Sequence, residues 1–339
     1  MPEGHTVHRL AAAFTESFAG QAVRTSSPQG RFPEAAAVDG WVMTCAEAVG
    51  KHLFLALAPA ADVDPGEAPT RFVHVHLGLY GSWTFQALPG AEGVVLPHAI
   101  GAPRVRVGET EDPSSRAVDL IPRPTVRLRV QGRSALADLT GPTACELLDH
   151  AGRQRILDRL GPDPLRGDAD PERFVHRVLR SRTMIGTQLM NQEVVAGIGN
   201  IYRAELLFRA MLDPTVPGRD LSAPLVHEMW EDLSALMAYG ARTGRIVTTD
   251  PAHRHLHARI IERSRGTRQN SDGDAGVVPR EESFYVYHRQ TLPCRLCGTE
   301  VRSADMAGRT VFWCPRCQRV RSRRASFTRE HPAAAWIGS

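Results

Sequence analysis

The sequence predicts an α+β chain of two domains, and three observations predict it. Short stretches of β-type residues at 41–45, 52–57, 71–77, 126–130 and 134–139, separated by Gly, Pro and acidic turns, dominate the N-terminal part. From about 143 to 262 apolar residues recur at helical spacing instead. Near the C-terminal end, Cys294-x2-Cys297 and Cys314-x2-Cys317 are separated by sixteen residues. That spacing brings four thiolates together on two tight turns, as a tetrahedral structural zinc site requires.

A chain of 339 residues with 42% apolar content can bury two cores. It contains no apolar run of about 18 residues and no charged-then-apolar leader, so no membrane span or secretory signal is expected, and the cytoplasm is the expected location. The net charge is only +4, but residues 283–339 hold ten Arg against Glu300, Asp305 and Glu330, which makes that segment +7 and the remainder −3. The basic excess is therefore local. Lys51 is the single lysine. Either a compact ammonium is required there, where a guanidinium fork would not fit, or one lysine survived a bias toward arginine.

The chain starts Met1-Pro2-Glu3-Gly4, and a small residue after the initiator permits removal of Met1. Pro2 would then be a terminal secondary amine, able to attack an aldehyde-like carbon and form an iminium that is cationic without protonation. Glu3 could move the protons. Taken alone, the tetrapeptide reads more readily as a frayed start. Val7, Leu10, Ala11, Phe14 and Phe18 follow at helical spacing with Thr6 as the expected cap, so Pro2 and Glu3 precede a helix N-terminus and its partial positive charge.

The strands that follow fit a β-sandwich or a barrel. In Val126-Arg127-Leu128-Arg129-Val130 the alternation puts two arginines on a solvated face. His74 and His76 share one strand face, but no third ligand stands close in sequence, so they are taken as structural. Leu77-Gly78-Leu79-Tyr80-Gly81 is a glycine-bracketed turn that could wedge into a base stack or pack on its own domain. Residues 99–116 and 263–282 have the composition of mobile loops.

Gly161-Pro162-Asp163-Pro164 marks the joint between the halves, and Asp170-Pro171-Glu172 is a well-formed helix start. In Gly197-Ile198-Gly199-Asn200 two glycines make a tight turn from which Asn200 opens a helix, and a phosphate suits such an end. His253, His255 and His257 lack a closed ligand set and are expected to be solvated or locally bonded. Cys45 and Cys145 are expected to be buried thiols. Between the cysteine pairs, Gly308 to Trp313 reads as a hairpin with Arg309 near its turn, positive charge suited to phosphate.

In this order and spacing, Pro2-Glu3-Gly4, Gly50-Lys51-His52-Leu53, Gly78-Leu79-Tyr80, the joint at 161–164, Gly197 to Tyr202 and the four-cysteine finger with Arg309 resemble the formamidopyrimidine-DNA glycosylase and endonuclease VIII family across nearly the whole chain. The resemblance implies an N-terminal catalytic β-sandwich with flanking helices at 1–142, a helix-two-turn-helix domain at 143–283, a zinc finger at 284–320 and a basic tail at 321–339. It implies a DNA glycosylase and abasic-site lyase of base-excision repair, a monomer near the nucleoid, with damaged DNA as partner and one structural zinc on Cys294, Cys297, Cys314 and Cys317. Carried over by position, Pro2 attacks C1′ of a flipped nucleotide, Glu3 is the general acid/base, and Lys51 sits near that nucleotide's phosphate. Leu79 and Tyr80 form the wedge, while Gly199, Asn200 and Arg309 contact the DNA backbone. The family's oxidised-purine branch begins Pro-Glu-Leu-Pro-Glu and has an Arg-Phe pair after the strand matching 134–139. This chain has Gly4-His5-Thr6 and Asp138-Leu139-Thr140-Gly141-Pro142, so oxidised pyrimidines are the expected substrates. An oxidised-purine glycosylase and a non-catalytic zinc-finger protein that binds DNA damage are the alternatives.

Overall fold

The computed structural model describes residues 2–59, 69–91, 96, 99–102, 121–254 and 278–319. His255, His257, most of the two loop segments and the tail from 320 lie outside the described residues. The chain divides into two compact units, Met1–Arg159 and a second that starts at Leu160.

The first unit begins with α1 (Gly4–Phe18), which buries Val7, Leu10, Ala11, Phe14 and Phe18 as its spacing predicts. The cap is Glu3 rather than Thr6: the Thr6 amide already donates to the Glu3 carbonyl, which places Thr6 inside the first turn. Among the described residues, ten strands form two separate antiparallel sheets, which makes the unit a sandwich and not a barrel. The first sheet has the order β1 (Gln21–Ala22), β3 (Val42–Val49), β4 (His52–Ala58), β5 (Arg71–His76), β10 (Ala144–Leu148). The second has β2 (Arg24–Ser26), β8 (Val126–Gln131), β9 (Ala135–Thr140), β6 (Ser82–Ala87), β7 (Ala99–Gly101). Leu53, Leu55, Val73 and Val75 from the first sheet meet Trp83, Phe85, Leu128 and Leu139 from the second in one core with α1.

Three sequence expectations fail here for identifiable reasons. Residues 144–148 are a strand, not the start of the helical part, because all of β10 pairs with Phe72–His76 of β5; helix α2 (His150–Leu157) follows it within the first unit. Arg129 is not on a solvated face. It is 6% exposed and makes a bidentate ion pair with its cross-strand partner Asp138, at 2.8 and 2.7 Å. Cys45 is exposed because a bulge between Met43 and Cys45 shifts the phase of β3, whereas Cys145 is half-buried and burial pushes its thiol up to about 12.

The second unit contains α3 (Pro171–Arg180), α4 (Ile185–Gln188), α5 (Asn200–Arg209) and α6 (Ala223–Thr243), followed by the hairpin β11 (Arg302–Met306) and β12 (Arg309–Trp313). Asp170 caps α3 as expected, through its carboxylate and the Glu172 amide. Phe174, Val178, Tyr202, Leu206, Met229 and Leu233 form the helical core. A second core joins the other face of α5, through Ala204 and Phe208, to Tyr285, Tyr287, Val301 and Phe312.

Glu205 of α5 is completely buried, and its carboxylate accepts from the amides of Tyr285, Val286 and Tyr287 at 2.8–2.9 Å and from the Thr248 hydroxyl. An acidic side chain is tolerated there because it satisfies three backbone donors that would otherwise be buried without partners. Glu205→Ala is expected to lower the unfolding free energy by roughly 3 kcal/mol or more, read as a fall in the urea midpoint at unchanged m-value.

Candidate active site and nucleic-acid interface

Thr15 of α1 bonds to Ala46 through its hydroxyl and the Gly20 amide donates to the Met43 carbonyl, so α1 runs antiparallel to β3. The helix start therefore points to the end of the sandwich where β3 turns into β4 through Gly50 and Lys51. Pro2 is buried and Glu3 is 0% exposed, which rules out a frayed start. His5, in the first turn of the same helix, is held neutral, its pKa lowered to about 3 mainly by burial. Gly50 has φ +60°, and the half-buried Lys51 follows it in the turn.

The register pairs His52 with His76, so the turn after β5 lies beside the turn before β4. The Gly81 amide donates to the Leu77 carbonyl at 3.0 Å and closes the 77–81 turn. Gly78 is required at φ +65°, and a Cβ there would lie 1.8 Å from the Thr143 hydroxyl. The tip is solvent-facing: Leu79 is 44% and Tyr80 80% exposed, both large apolar side chains. The helix start with Pro2 and Glu3, the Lys51 turn and the Leu79–Tyr80 turn thus occupy one end of the first unit.

The same pairing assembles a group that sequence spacing did not reveal. His52 Nδ1 is 2.9 Å from His74 Nε2, and His74 Nδ1 is 2.8 Å from Glu146 Oε1. His74 and His76 were visible as a period-2 pair, but the strand register is what brings His52 and Glu146 to them. The three rings do not form a metal cluster: among the described residues only the four cysteines converge in that way.

In the second unit, Gly197 has φ +93° and the Gln192 side chain holds the turn, accepting from the Gly197 amide and donating to the Ile198 carbonyl, both at 3.0 Å. Gly199 is the N-cap of α5, and no side chain caps that helix start. Arg203, fully buried one turn later, donates to Asn200 Oδ1 and to the Thr310 carbonyl at 2.8 Å. With its oxygen turned to Arg203, the Asn200 side chain has its NH2 group to donate to an anionic oxygen. The Thr310 bond ties this helix start to the hairpin, where Arg309 is exposed opposite Met306. Sequence spacing placed Asn200 and Arg309 separately, and Arg203 joins them.

Cys294, Cys297, Cys314 and Cys317 carry free thiols whose sulfurs lie within 4.8 Å of one another. Cys297–Cys314 and Cys294–Cys317 are separated by 3.5 and 3.9 Å. A tetrahedral ion with metal–sulfur bonds of about 2.3 Å needs sulfur separations of about 3.8 Å, so the four thiols fit zinc. Burial pushes the Cys294 thiol up to about 11 without metal, and binding would displace that proton. Gln318 anchors the finger, accepting from the Cys314 amide and donating to the Leu212 carbonyl.

Residues 160–251 match the family model described as the formamidopyrimidine-DNA glycosylase H2TH domain, and 292–320 match the zinc finger found in FPG and IleRS. Endonuclease 8 1 of Mycobacterium tuberculosis is 41% identical over 319 residues, covering 94% of this chain and 100% of that protein. The chain belongs to the formamidopyrimidine-DNA glycosylase and endonuclease VIII family. Probable endonuclease 8 2 of Streptomyces coelicolor is 30% identical over 94% of both chains. In fold, the chain resembles Lactococcus lactis Fpg in a complex with DNA containing an abasic site, with TM-score 0.63, 17% identity and coverage of 94% of this chain and 99% of that one. Fpg (MutM) of Thermus thermophilus gives TM-score 0.62 at 22% identity, over 94% and 98% of the two chains. This member of the family is endonuclease 8-like, so base-excision repair by a DNA glycosylase is its functional class. No helix among the described residues is long and apolar enough to cross a membrane.

Removal of metal by a chelator is expected to raise amide hydrogen exchange across residues 294–317 and to release one zinc per chain, measured with a colorimetric indicator. Unchanged exchange would contradict a metal-dependent finger.

Proposed function

We propose that this glycosylase removes oxidised bases, principally oxidised pyrimidines, through a Schiff base on Pro2 and then cleaves the DNA strand as an abasic-site lyase. The observation that carries the proposal is the burial of Pro2 and Glu3 at the start of α1, at the end of the sandwich that also holds Lys51 and the exposed Leu79–Tyr80 turn. A terminal α-amine titrates near about 8, so part of it is nucleophilic at neutral pH once Met1 is removed. Its nitrogen attacks C1′, the C1′–base bond breaks, and the base leaves with a proton. Glu3, shielded from bulk water, is the residue that moves protons as the sugar opens to the iminium. The iminium acidifies the neighbouring sugar carbon, loss of that proton expels the 3′ phosphate, and a second elimination expels the 5′ phosphate. Water then hydrolyses the iminium and frees Pro2. Lys51 is the cation at the flipped nucleotide, while Gly199, Asn200 and Arg309 hold backbone phosphates. A closed shell of four thiolates on zinc leaves no open position, so the metal's part is to fold the hairpin that carries Arg309.

The preference for pyrimidines is supported by the Leu79–Tyr80 tip and by the short connection from β9 to β10, residues 141–143, with no room for an inserted loop bearing an Arg-Phe pair. Thr6 also replaces the second acidic residue of the oxidised-purine branch.

Borohydride is expected to trap the protein covalently on DNA containing thymine glycol or an abasic site. The adduct should be lost in Pro2→Gly, strongly reduced in Glu3→Gln, and absent when a tag remains in front of Pro2. DNA binding without any adduct in the wild type would leave a binding protein, not an enzyme. Faster cleavage at 8-oxoguanine opposite cytosine than at thymine glycol would move the chain to the purine branch. Arg309→Ala is expected to weaken binding and to reduce the slope of log K against log salt by about one. An unchanged slope would remove Arg309 from the phosphate contacts.

A further inference from the structure

The outer face of the first sheet carries a chain of hydrogen bonds that the proposed mechanism does not use. Cross-strand pairing puts Phe54, His74 and Glu146 in one row and His52 and His76 in the next. His74 is 3% exposed, and its ring stacks on His52 and on Phe54 with centroids 5.1 Å away in both cases. Glu146 has a half-exposed carboxyl. The bonds therefore run from a solvated carboxylate, through a buried imidazole, to the residue that follows Lys51.

Counting protons along this chain leaves one arrangement. A carboxylate only accepts, so the single N–H of a neutral His74 sits on Nδ1, where it meets Glu146 Oε1. His74 Nε2 is then an acceptor, and His52 must donate to it from Nδ1. The second nitrogen of His52, Nε2, is left with a lone pair and no proton. Burial disfavours the charged form of each ring. Burial, reinforced by the charges of Lys51 and Arg159 and by the other two rings, lowers His52 to about 3. Burial likewise lowers His74, partly opposed by Glu146, and lowers His76, with Lys51 adding to the effect. Lys51 precedes His52 in the turn, and its charge adds to the lowering of both His52 and His76.

We propose that His74 is a positioning residue for the Lys51 turn: bonded between Glu146 and His52, it locks His52, the residue that follows the chain's one lysine, as the Nδ1–H tautomer, whose Nε2 can only accept. The opposite tautomer would present a donor at Nε2 instead, and an imidazolium would repel the Lys51 ammonium. The relay excludes both, and Lys51 remains the only cation of its turn. The role in catalysis rests on Lys51 being the cation at the flipped nucleotide.

Two measurements test the proposal. Long-range 15N–1H spectra of the histidine rings in the free protein should show His52 neutral and protonated on Nδ1, and should show that preference lost in His74→Phe. An imidazolium or an Nε2–H form of His52 in the wild type overturns the proposal. In single-turnover cleavage of abasic-site DNA, His74→Phe should lower the maximal rate about fivefold, the scale of one hydrogen bond, with DNA Kd and Tm near those of the wild type. Glu146→Ala, a change at a half-exposed position that spares the core, should move both readouts in the same direction, and Glu146→Gln, which keeps an acceptor for His74, should restore them. Loss of rate only in parallel with Tm or Kd marks a structural role and sinks the idea, as does a shifted tautomer with an unchanged rate. A wild type that forms no borohydride adduct defeats the glycosylase reading and the catalytic role with it, while the ring spectra decide the tautomer independently.

Discussion

The register between β4 and β5 is the constraint on which the first unit's candidate site depends. Because side chains alternate with period two, a slip of one residue would exchange Leu53 and Leu55 with His52 and Phe54 and turn the core face outward. The core leucines and valines therefore lock the register. The same lock sets His52 opposite His76, puts the Lys51 turn beside the Leu79–Tyr80 turn, and brings Glu146 of β10 to His74. Ordinary hydrophobic burial thus places polar groups that burial alone would not select.

Buried charge has the corresponding role in the second unit. Arg203 and Glu205 lie two residues apart on α5, both fully buried, and they make different attachments. Glu205 gathers the amides of Tyr285, Val286 and Tyr287, which lead into the finger. Arg203 spans from Asn200 to the Thr310 carbonyl within the hairpin. Buried ions cost solvation, and their retention here goes with orientation: each makes several hydrogen bonds that hold a helix start and a metal-binding segment in fixed relation. The finger's position is set by these bonds and by Gln318 as well as by its four cysteines.

The elements legible in the sequence are those whose signals are local. Helix α1, the Asp170 cap of α3, the helix opening at Asn200 and the hairpin ahead of Arg309 all follow from neighbours within a few residues. The four thiols were legible because a closed metal shell demands two tight turns, which spacing records directly. The short strands β1 and β2, two and three residues long, carry too few positions for any period to show. Strand β10 resembles a helix locally, and pairing along β5 overrides that preference.

By itself, the sequence determined the two-part α+β organisation and the four-cysteine finger from local patterns, while Pro2, Glu3, Lys51, Leu79, Tyr80, Asn200 and Arg309 became candidates through the order in which their motifs resemble the family's. Only the tertiary structure decided that Pro2 and Glu3 are buried, that Arg129 pairs with Asp138, that Arg203 links Asn200 to the hairpin, and that His52, His74 and Glu146 form one hydrogen-bonded chain. Apart from Arg129 and Asp138, which face each other across one hairpin, the partners lie far apart along the chain, 72 residues for His74 and Glu146 and 107 for Arg203 and Thr310. No local pattern encodes such a pairing. It arises when apolar faces close on one another and the polar groups carried with them must find partners away from water.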